Sequence, residues 1–267
     1  MNIVQAIILG VVQGATEFIP VSSSAHLVLV PALFGWSDPG LLFDVVLHLG
    51  TLLAVLAIFW RDLWSLAVAW LRSAPQRRFD TAEARLAWWI ILGSFPAAIL
   101  YLLWGEQFEA LFHSPVQVSA LLLATGLWLT LAERLGRKQR QAEEMSWWQP
   151  LLIGLAQGCA IAPGISRSGA TIGAGLLLGL KRDVAARFSF LLATPIVFGA
   201  GLVELVKLLG APSLGADPLV LIAGSAAAFL SGCACIRFLL GYLKQHSLYV
   251  FAIYCWLAGL GCIIVLL

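Results

Sequence analysis

Gly10-Val-Val-Gln13-Gly14-Ala-Thr-Glu17-Phe-Ile-Pro20-Val-Ser22-Ser23-Ser24 is echoed later in the chain by Gly154-Leu-Ala-Gln157-Gly158-Cys-Ala-Ile-Ala-Pro163-Gly164-Ile-Ser166-Arg167-Ser168. In each copy an apolar segment is broken by proline and followed by a serine-rich turn. A duplicated pattern of this kind points to a binding site at the centre of an inverted-repeat membrane protein. Proline lacks an N–H and pushes the residue before it out of the α region, so each copy reads as two half-helices meeting at a turn. The pairs 3–19 with 21–35 and 149–162 with 164–180 are therefore predicted to be two re-entrant helical hairpins.

Composition fixes the setting. Hydrophobic residues make up 61% of the chain and charged residues 11%, where soluble domains carry roughly 25% charged residues. The formal charge of +2 and the scatter of basic residues exclude nucleic acid as a partner class. Apolar runs near 41–60, 86–104, 116–133, 188–209, 218–241 and 248–267 are each about long enough to cross roughly 30 Å of hydrocarbon. The expected fold is an all-α integral membrane protein with six full transmembrane helices plus the two hairpins. Met1 to Gln5 lacks the basic n-region of a secretory signal, so the first segment is expected to stay in the mature protein. The five cysteines, Cys159, Cys233, Cys235, Cys255 and Cys262, lie in apolar segments without zinc-ligand spacing and read as packing residues.

Basic residues orient the path, because cytoplasmic loops are enriched in Lys and Arg. Arg61, Arg72, Arg77, Arg78 and Arg85 fall around one loop and Arg134, Arg137, Lys138 and Arg140 in another. Lys181, Arg182 and Arg187 follow the second hairpin, and Arg237 and Lys244 flank the turn before the last span. With these inside, 36–40, 105–115 and 210–217 are outside, and none of those three holds a Lys or Arg. The first hairpin then enters from the outer face, the second from the inner face, and both termini lie outside. Residues 1–267 form a single membrane domain, with a first repeat at 1–133 and a second, inverted repeat at 149–267. Trp64, Trp70, Trp88, Trp89, Trp147 and Trp148 cluster beside the basic loops and read as an interfacial belt.

Only Arg167 and Lys207 fall outside the basic loops. Lys207 is near a span end, where it can snorkel or pair with Glu204. Arg at the bilayer centre costs at least about 2.5–3.5 kcal/mol and is retained only where it meets protein, water or a partner charge. Around it, Gly164, Ser166, Ser168 and Thr171 supply a loose backbone and hydroxyls at the start of a half-helix, where free N–H groups and the dipole favour an anion. The guanidinium fork matches phosphate oxygens. In the other hairpin Gln13 and Glu17 share one helix face and offer oxygens to a divalent cation, while Ser22, Ser23, Ser24 and His26 follow Pro20. A hydroxyl nucleophile needs a base, and imidazole suits that work near neutral pH.

Plainer readings stand beside these. Gln13 also reads as a hydrogen-bonder between helices, and Gln157, which no acid follows, reads as one first; Ser22, Ser24 and Ser168 also read as helix caps, and His26 as a structural imidazole. Asp44 and His48, four apart, either line the same cavity or sit at the interface. The Gly-x-x-x-Gly spacings at Gly10/Gly14, Gly154/Gly158, Gly169/Gly173 and Gly175/Gly179 are expected to bring helices close.

At these residues the chain resembles the bacterial undecaprenyl pyrophosphate phosphatase family associated with bacitracin resistance. The resemblance rests on Gln13-Gly-Ala-Thr-Glu17, continuing through Pro20 to His26, and on Pro163-Gly-Ile-Ser-Arg-Ser-Gly-Ala-Thr171, and it extends over essentially the whole chain, Phe43 to Thr51 included. It implies an inner-membrane enzyme that removes the terminal phosphate of undecaprenyl pyrophosphate with Mg²⁺ or Ca²⁺, from an active site open to the periplasm. Glu17, Ser23, His26 and Arg167 inherit catalytic roles by it, Ser166 and Thr171 join Ser22, Ser168 and Gly164 in holding the substrate, and Gln13 takes the motif's variable place beside Glu17 at the metal.

The mechanism expected is attack by Ser23 on the terminal phosphorus with His26 as base, or attack by His26 itself. Undecaprenyl pyrophosphate and membrane lipid are the expected partners, and a second copy of the chain is one the sequence leaves open. A polyprenyl-phosphate flippase or anion carrier on the same scaffold is the alternative, since broken helices in inverted repeats are also transporter architecture. The other large class of membrane lipid phosphatases places a catalytic His six residues after its Arg, where this chain has Gly173.

Overall fold

The computed structural model describes residues 1–75, 79–209 and 217–266. Its regular elements are helices: α1 Ile3–Phe18, α2 Ser23–Phe34, α3 Leu41–Ser73, α4 Ala82–Glu109, α5 Pro115–Leu135, α6 Gln149–Cys159, α7 Arg167–Leu177, α8 Arg182–Leu209, α9 Pro218–Tyr242 and α10 Tyr249–Leu266. Among the described residues no β-strand occurs beyond a single bridge between Arg140 and Leu180. Helices α3, α4, α5, α8, α9 and α10 are long and apolar enough to cross a membrane. Large apolar side chains cover their outer faces, with Leu102, Leu257, Leu230 and Ile264 all exposed, as a multi-pass membrane protein requires.

The short pairs α1/α2 and α6/α7 each break around a proline, but α6 ends at Cys159, ahead of Pro163, and α7 spans Arg167–Leu177 where the sequence predicts 164–180. Helix α1 starts with a capping box between Asn2 and Gln5 and stops at Ile19, ahead of Pro20. Ser22 then caps α2 through its side chain, with φ +68, a left-handed value that strains any residue with a Cβ. Gly164 takes φ +103 in the second turn, and Ser166 caps α7 by accepting from the Gly169 N–H at 3.0 Å.

Glycine decides how the pairs seat. In α1, Gly10 and Gly14 lie against Gly224 and Ala228 of α9; in α6, Gly154 and Gly158 lie against Gly93 and Ala97 of α4. A Cβ at Gly10 would run into the Gly224 carbonyl and one at Gly154 into the Gly93 carbonyl. These are backbone-to-backbone approaches that small residues alone permit.

Three expectations need adjustment. Helix α3 continues past residue 60 to Ser73, bending at Phe59 (φ −105, ψ 16), so Arg61 and Arg72 lie on a helix rather than in a loop. Backbone hydrogen bonding does not stop where hydrophobicity does, and charged side chains ride on the extension. Helix α8 begins at Arg182, not 188, because Arg182 is neutralised: its guanidinium meets both carboxylate oxygens of Glu133. Trp89 is buried, stacked on Phe79, so it is not part of an exposed belt, whereas Trp64, Trp147 and Trp148 are exposed. Arg77 and Arg78 fall outside the described residues, as do the side chains of Glu204 and Lys207.

Candidate active site

Four elements converge where the two broken pairs meet: the end of α1, the start of α2, the start of α7 and the middle of α8. Contact between the turns is direct. The Gly164 N–H donates to Ser24 Oγ at 3.5 Å and Ser168 Oγ donates to the Ile19 carbonyl at 3.4 Å. Helix α5 holds the second turn from behind. Thr125 Oγ1 donates to the Gly164 carbonyl at 2.9 Å and accepts from the Ser166 N–H at 3.1 Å, fixing the turn at both ends. The Trp128 indole N–H reaches the carbonyls of Gly169 and Ala170.

Glu17 is the centre. Its carboxylate is buried. It forms an ion pair with Arg167, accepts from Ser23 Oγ at 2.6 Å and from Gln13 Nε2 at 3.1 Å, and lies 3.8 Å from His48 Nε2. Helix periodicity puts Gln13 one turn before Glu17, and the turn at Ile19 to Ser22 folds Ser23 back over it. A guanidinium has five N–H donors, so the ion pair leaves several for another anion.

A narrow cleft opens beside this cluster. Glu17, Arg167, Ser168 and Ser189 form its polar end, and Leu52, Val55, Phe190 and Val197 of α3 and α8 line its apolar walls. At that end, Thr171 Oγ1 lies 2.6 Å from Ser189 Oγ and donates to the Arg167 carbonyl at 2.8 Å. Ser166 Oγ and Ser168 Oγ are 3.1 Å apart. Of the first-turn donors of α7, Ser166 N is taken by Thr125 and Gly169 N by the cap. The amides of Arg167 and Ser168 are left for an anion at the helix mouth.

His26 is in the cluster's neighbourhood but paired elsewhere. Its Nδ1 is 2.7 Å from the Ser22 carbonyl and its Nε2 2.6 Å from the Tyr254 hydroxyl. Ser23 therefore hydrogen-bonds to Glu17, where the sequence suggested His26. Ser22 Oγ lies 3.1 Å from Ser24 Oγ and caps α2 at the Ala25 N–H, so it serves the turn.

Buried acceptors without a partner are the candidates for holding a metal. Gln13 Oε1 and Asp44 Oδ1 have no hydrogen-bond partner, an unusual condition for buried acceptors. The Gln13 amide, whose Nε2 faces Glu17, and the Glu17 carboxylate carry hard oxygens of the kind Mg²⁺ or Ca²⁺ takes together with phosphate oxygens. Among the described residues no group of three or more His, Cys, Asp or Glu side chains is arranged to hold an ion by itself.

The sequence left Thr125, Trp128, Ser189 and Tyr254 unnoticed. Their only signal was a polar atom inside an apolar span, and nothing local says which neighbour it meets.

A family model described as bacitracin resistance protein BacA matches residues 6–261. An undecaprenyl-diphosphatase of Moorella thermoacetica is 46% identical over 95% of this chain and 94% of its own length. One of Thermomicrobium roseum is 44% identical over 99% of this chain and 98% of its own, and one of Pelotomaculum thermopropionicum 45% identical over 99% and 97%.

Proposed function

The chain belongs to the family of the bacitracin resistance protein BacA, and on that footing we propose that it hydrolyses the terminal phosphate of undecaprenyl pyrophosphate. It is a membrane hydrolase, an undecaprenyl-diphosphate phosphatase, releasing phosphate and returning undecaprenyl phosphate to peptidoglycan synthesis. The observation that carries the site assignment is the convergence of Ser23, Gln13 and Arg167 on one buried carboxylate at the head of a cleft with apolar walls. A diphosphate headgroup with a prenyl tail has that division of polarity.

In this reading Ser23 Oγ attacks the terminal phosphorus as its proton passes to Glu17, which already accepts it at 2.6 Å. The bond from that phosphorus to the bridging oxygen breaks and undecaprenyl phosphate leaves. Water then hydrolyses the phosphoserine, giving free phosphate and restoring Ser23. Arg167 and the amides of Arg167 and Ser168 hold the phosphate oxygens, while Ser166, Ser168 and Thr171 use their hydroxyl bonds on the turn and helix start that present them, positioning and electrostatics supplying most of the rate in phosphoryl transfer. Gln13 and Glu17 would hold a divalent cation, which when bound neutralises diphosphate charge. The first prenyl units lie along Leu52, Val55 and Val197.

The halves are read as an inverted repeat, 1–133 and 149–267, each a re-entrant pair followed by three spans. What supports this is that one crossing is built twice, Gly10/Gly14 on Gly224/Ala228 and Gly154/Gly158 on Gly93/Ala97. Three spans between the copies invert the second. With the basic ends of the spans inside, the protein sits in the bacterial inner membrane, its termini outside and its cleft open to the periplasm.

Phosphate release from undecaprenyl pyrophosphate by the purified protein in detergent tests the reading, with Ser23→Ala and Arg167→Ala beside wild type. Both variants are expected to lose release; wild-type release from both overturns the assignment. Transport into sealed vesicles without hydrolysis would instead mark a carrier.

A further inference from the structure

The last helix reaches back to the first turn at two consecutive residues. Tyr254 of α10 places its hydroxyl 2.6 Å from His26 Nε2, with the phenol ring stacked on the imidazole at 5.7 Å and 12°. Cys255, beside it and buried, directs its thiol at the Pro20 carbonyl at 3.8 Å. Helix α10 thus seats on the Pro20–Ser22 turn.

The other nitrogen of His26 settles its tautomer. Nδ1 lies 2.7 Å from the Ser22 carbonyl oxygen, which only accepts, so Nδ1 carries the proton. The same carbonyl also receives the His26 backbone N–H at 3.3 Å, and Ser22 is held at a strained positive φ to present it. Neutral imidazole with its proton on Nδ1 has its lone pair on Nε2, and the Tyr254 hydroxyl donates to that lone pair. Second partners of this kind fix the tautomer and ring orientation of functional imidazoles. A phenylalanine would stack on His26 equally well, so the hydroxyl's contribution is the hydrogen bond.

We propose that Tyr254 is a positioning residue for the phosphatase site: it holds His26 in the Nδ1–H form and, through the His26–Ser22 hydrogen bond, fixes the turn that presents Ser23 to Glu17. Glu17 accepts from the Ser23 hydroxyl, and the Tyr254–His26 pair, contributed jointly by the last helix and the first turn, keeps that hydroxyl in place. The inference rests on the reading of this site as a diphosphatase with Ser23 as its nucleophile.

The test is a double-mutant cycle on undecaprenyl pyrophosphate hydrolysis, using His26→Ala, Tyr254→Phe and the double variant, purified in detergent and each checked for an unchanged thermal transition. Tyr254→Phe is expected to lower kcat on the order of tenfold to 10²-fold, as misplacement of a reacting group does, with KM within about twofold. In the His26→Ala background the same change is expected to add nothing, because the hydroxyl acts through the imidazole. Tyr254→Phe at wild-type kcat, or a full further loss in the double variant, overturns the proposal. A His26→Ala variant at wild-type kcat would sink the role of His26 itself, a separate outcome. Should Tyr254→Phe shift the thermal transition, Tyr254→His, which keeps a donor at the ring edge, is compared with Tyr254→Leu; equal kcat in the two overturns the proposal.

Discussion

Glu17 and Arg167 form an ion pair between the two broken-helix units, with the Glu17 side chain 4% exposed and that of Arg167 24%. An arginine deep in an apolar chain needs a counter-charge. Glu17 supplies it while also accepting from Ser23 and Gln13. Removing either charge therefore changes both chemistry and stability, and the two effects separate in experiment.

Arg167→Lys keeps the charge but loses the planar fork. Loss of one phosphate-oxygen donor of this kind is expected to lower kcat on the order of 10²–10³, with Arg167→Ala lower still. Phosphate release measured per folded molecule checks it; a lysine variant at wild-type rate would show that the fork is not used.

For Glu17→Gln, shape is kept and the base is lost, so kcat is expected to fall on the order of 10²–10⁴. The change also strands Arg167, and an uncompensated buried charge costs about 3–5 kcal/mol. Thermal unfolding in detergent should fall with Glu17→Gln and recover in part with Glu17→Gln combined with Arg167→Met.

Chelation with EDTA is expected to abolish turnover and Mg²⁺ or Ca²⁺ to restore it. Because ligand charge sets affinity at oxygen sites, Gln13→Glu should lower the cation concentration needed for half-maximal rate. Two adjacent carboxylates repel without a cation between them, so the variant should also gain more thermal stability from added Mg²⁺ than wild type does. Equal cation dependence in the two proteins would remove Gln13 from the metal site.

Away from the cleft, Glu133 at the end of α5 is a structural hub. It takes Arg182 from α8, Lys138 at 2.9 Å and the Leu248 N–H at 3.1 Å just before α10. Glu133→Leu should destabilise the fold by about 3–5 kcal/mol by leaving two cations unpaired, with kcat per folded molecule little changed. A parallel loss of kcat would mean the hub also tunes the site.

At the helix crossings, Gly154→Leu should prevent α6 from seating on α4, since its Cβ meets the Gly93 backbone. Overpacking costs about 1–3 kcal/mol where neighbours can move, and a carbonyl on a packed helix cannot. The loss of folded material is read by size-exclusion profile and thermal transition, with Gly241→Ala, where a Cβ meets nothing, as the control.

Much of this was legible in the chain. The six spans, both helix breaks and the glycine crossings of α1 and α6 follow from local rules: apolar length against bilayer thickness, proline geometry, and side chains too small to separate helices, whereas Gly173, Gly175 and Gly179 face side chains instead. So did the grouping of Gln13 with Glu17, four residues apart on one helix. The helix ends were less legible, as α3 shows, because hydrogen bonding continues past the apolar run.

What the sequence by itself determined was the inventory: which residues are too polar for lipid and must therefore meet one another. Only the tertiary structure decided the pairing. It gave Ser23 to Glu17, and His26 to Tyr254 from the far end of the chain, and it brought Thr125 and Ser189 to the second turn. The physical reason is that burial in an apolar medium dictates that a polar group find a partner, while the identity of that partner depends on which helix faces come together, and no local pattern encodes that.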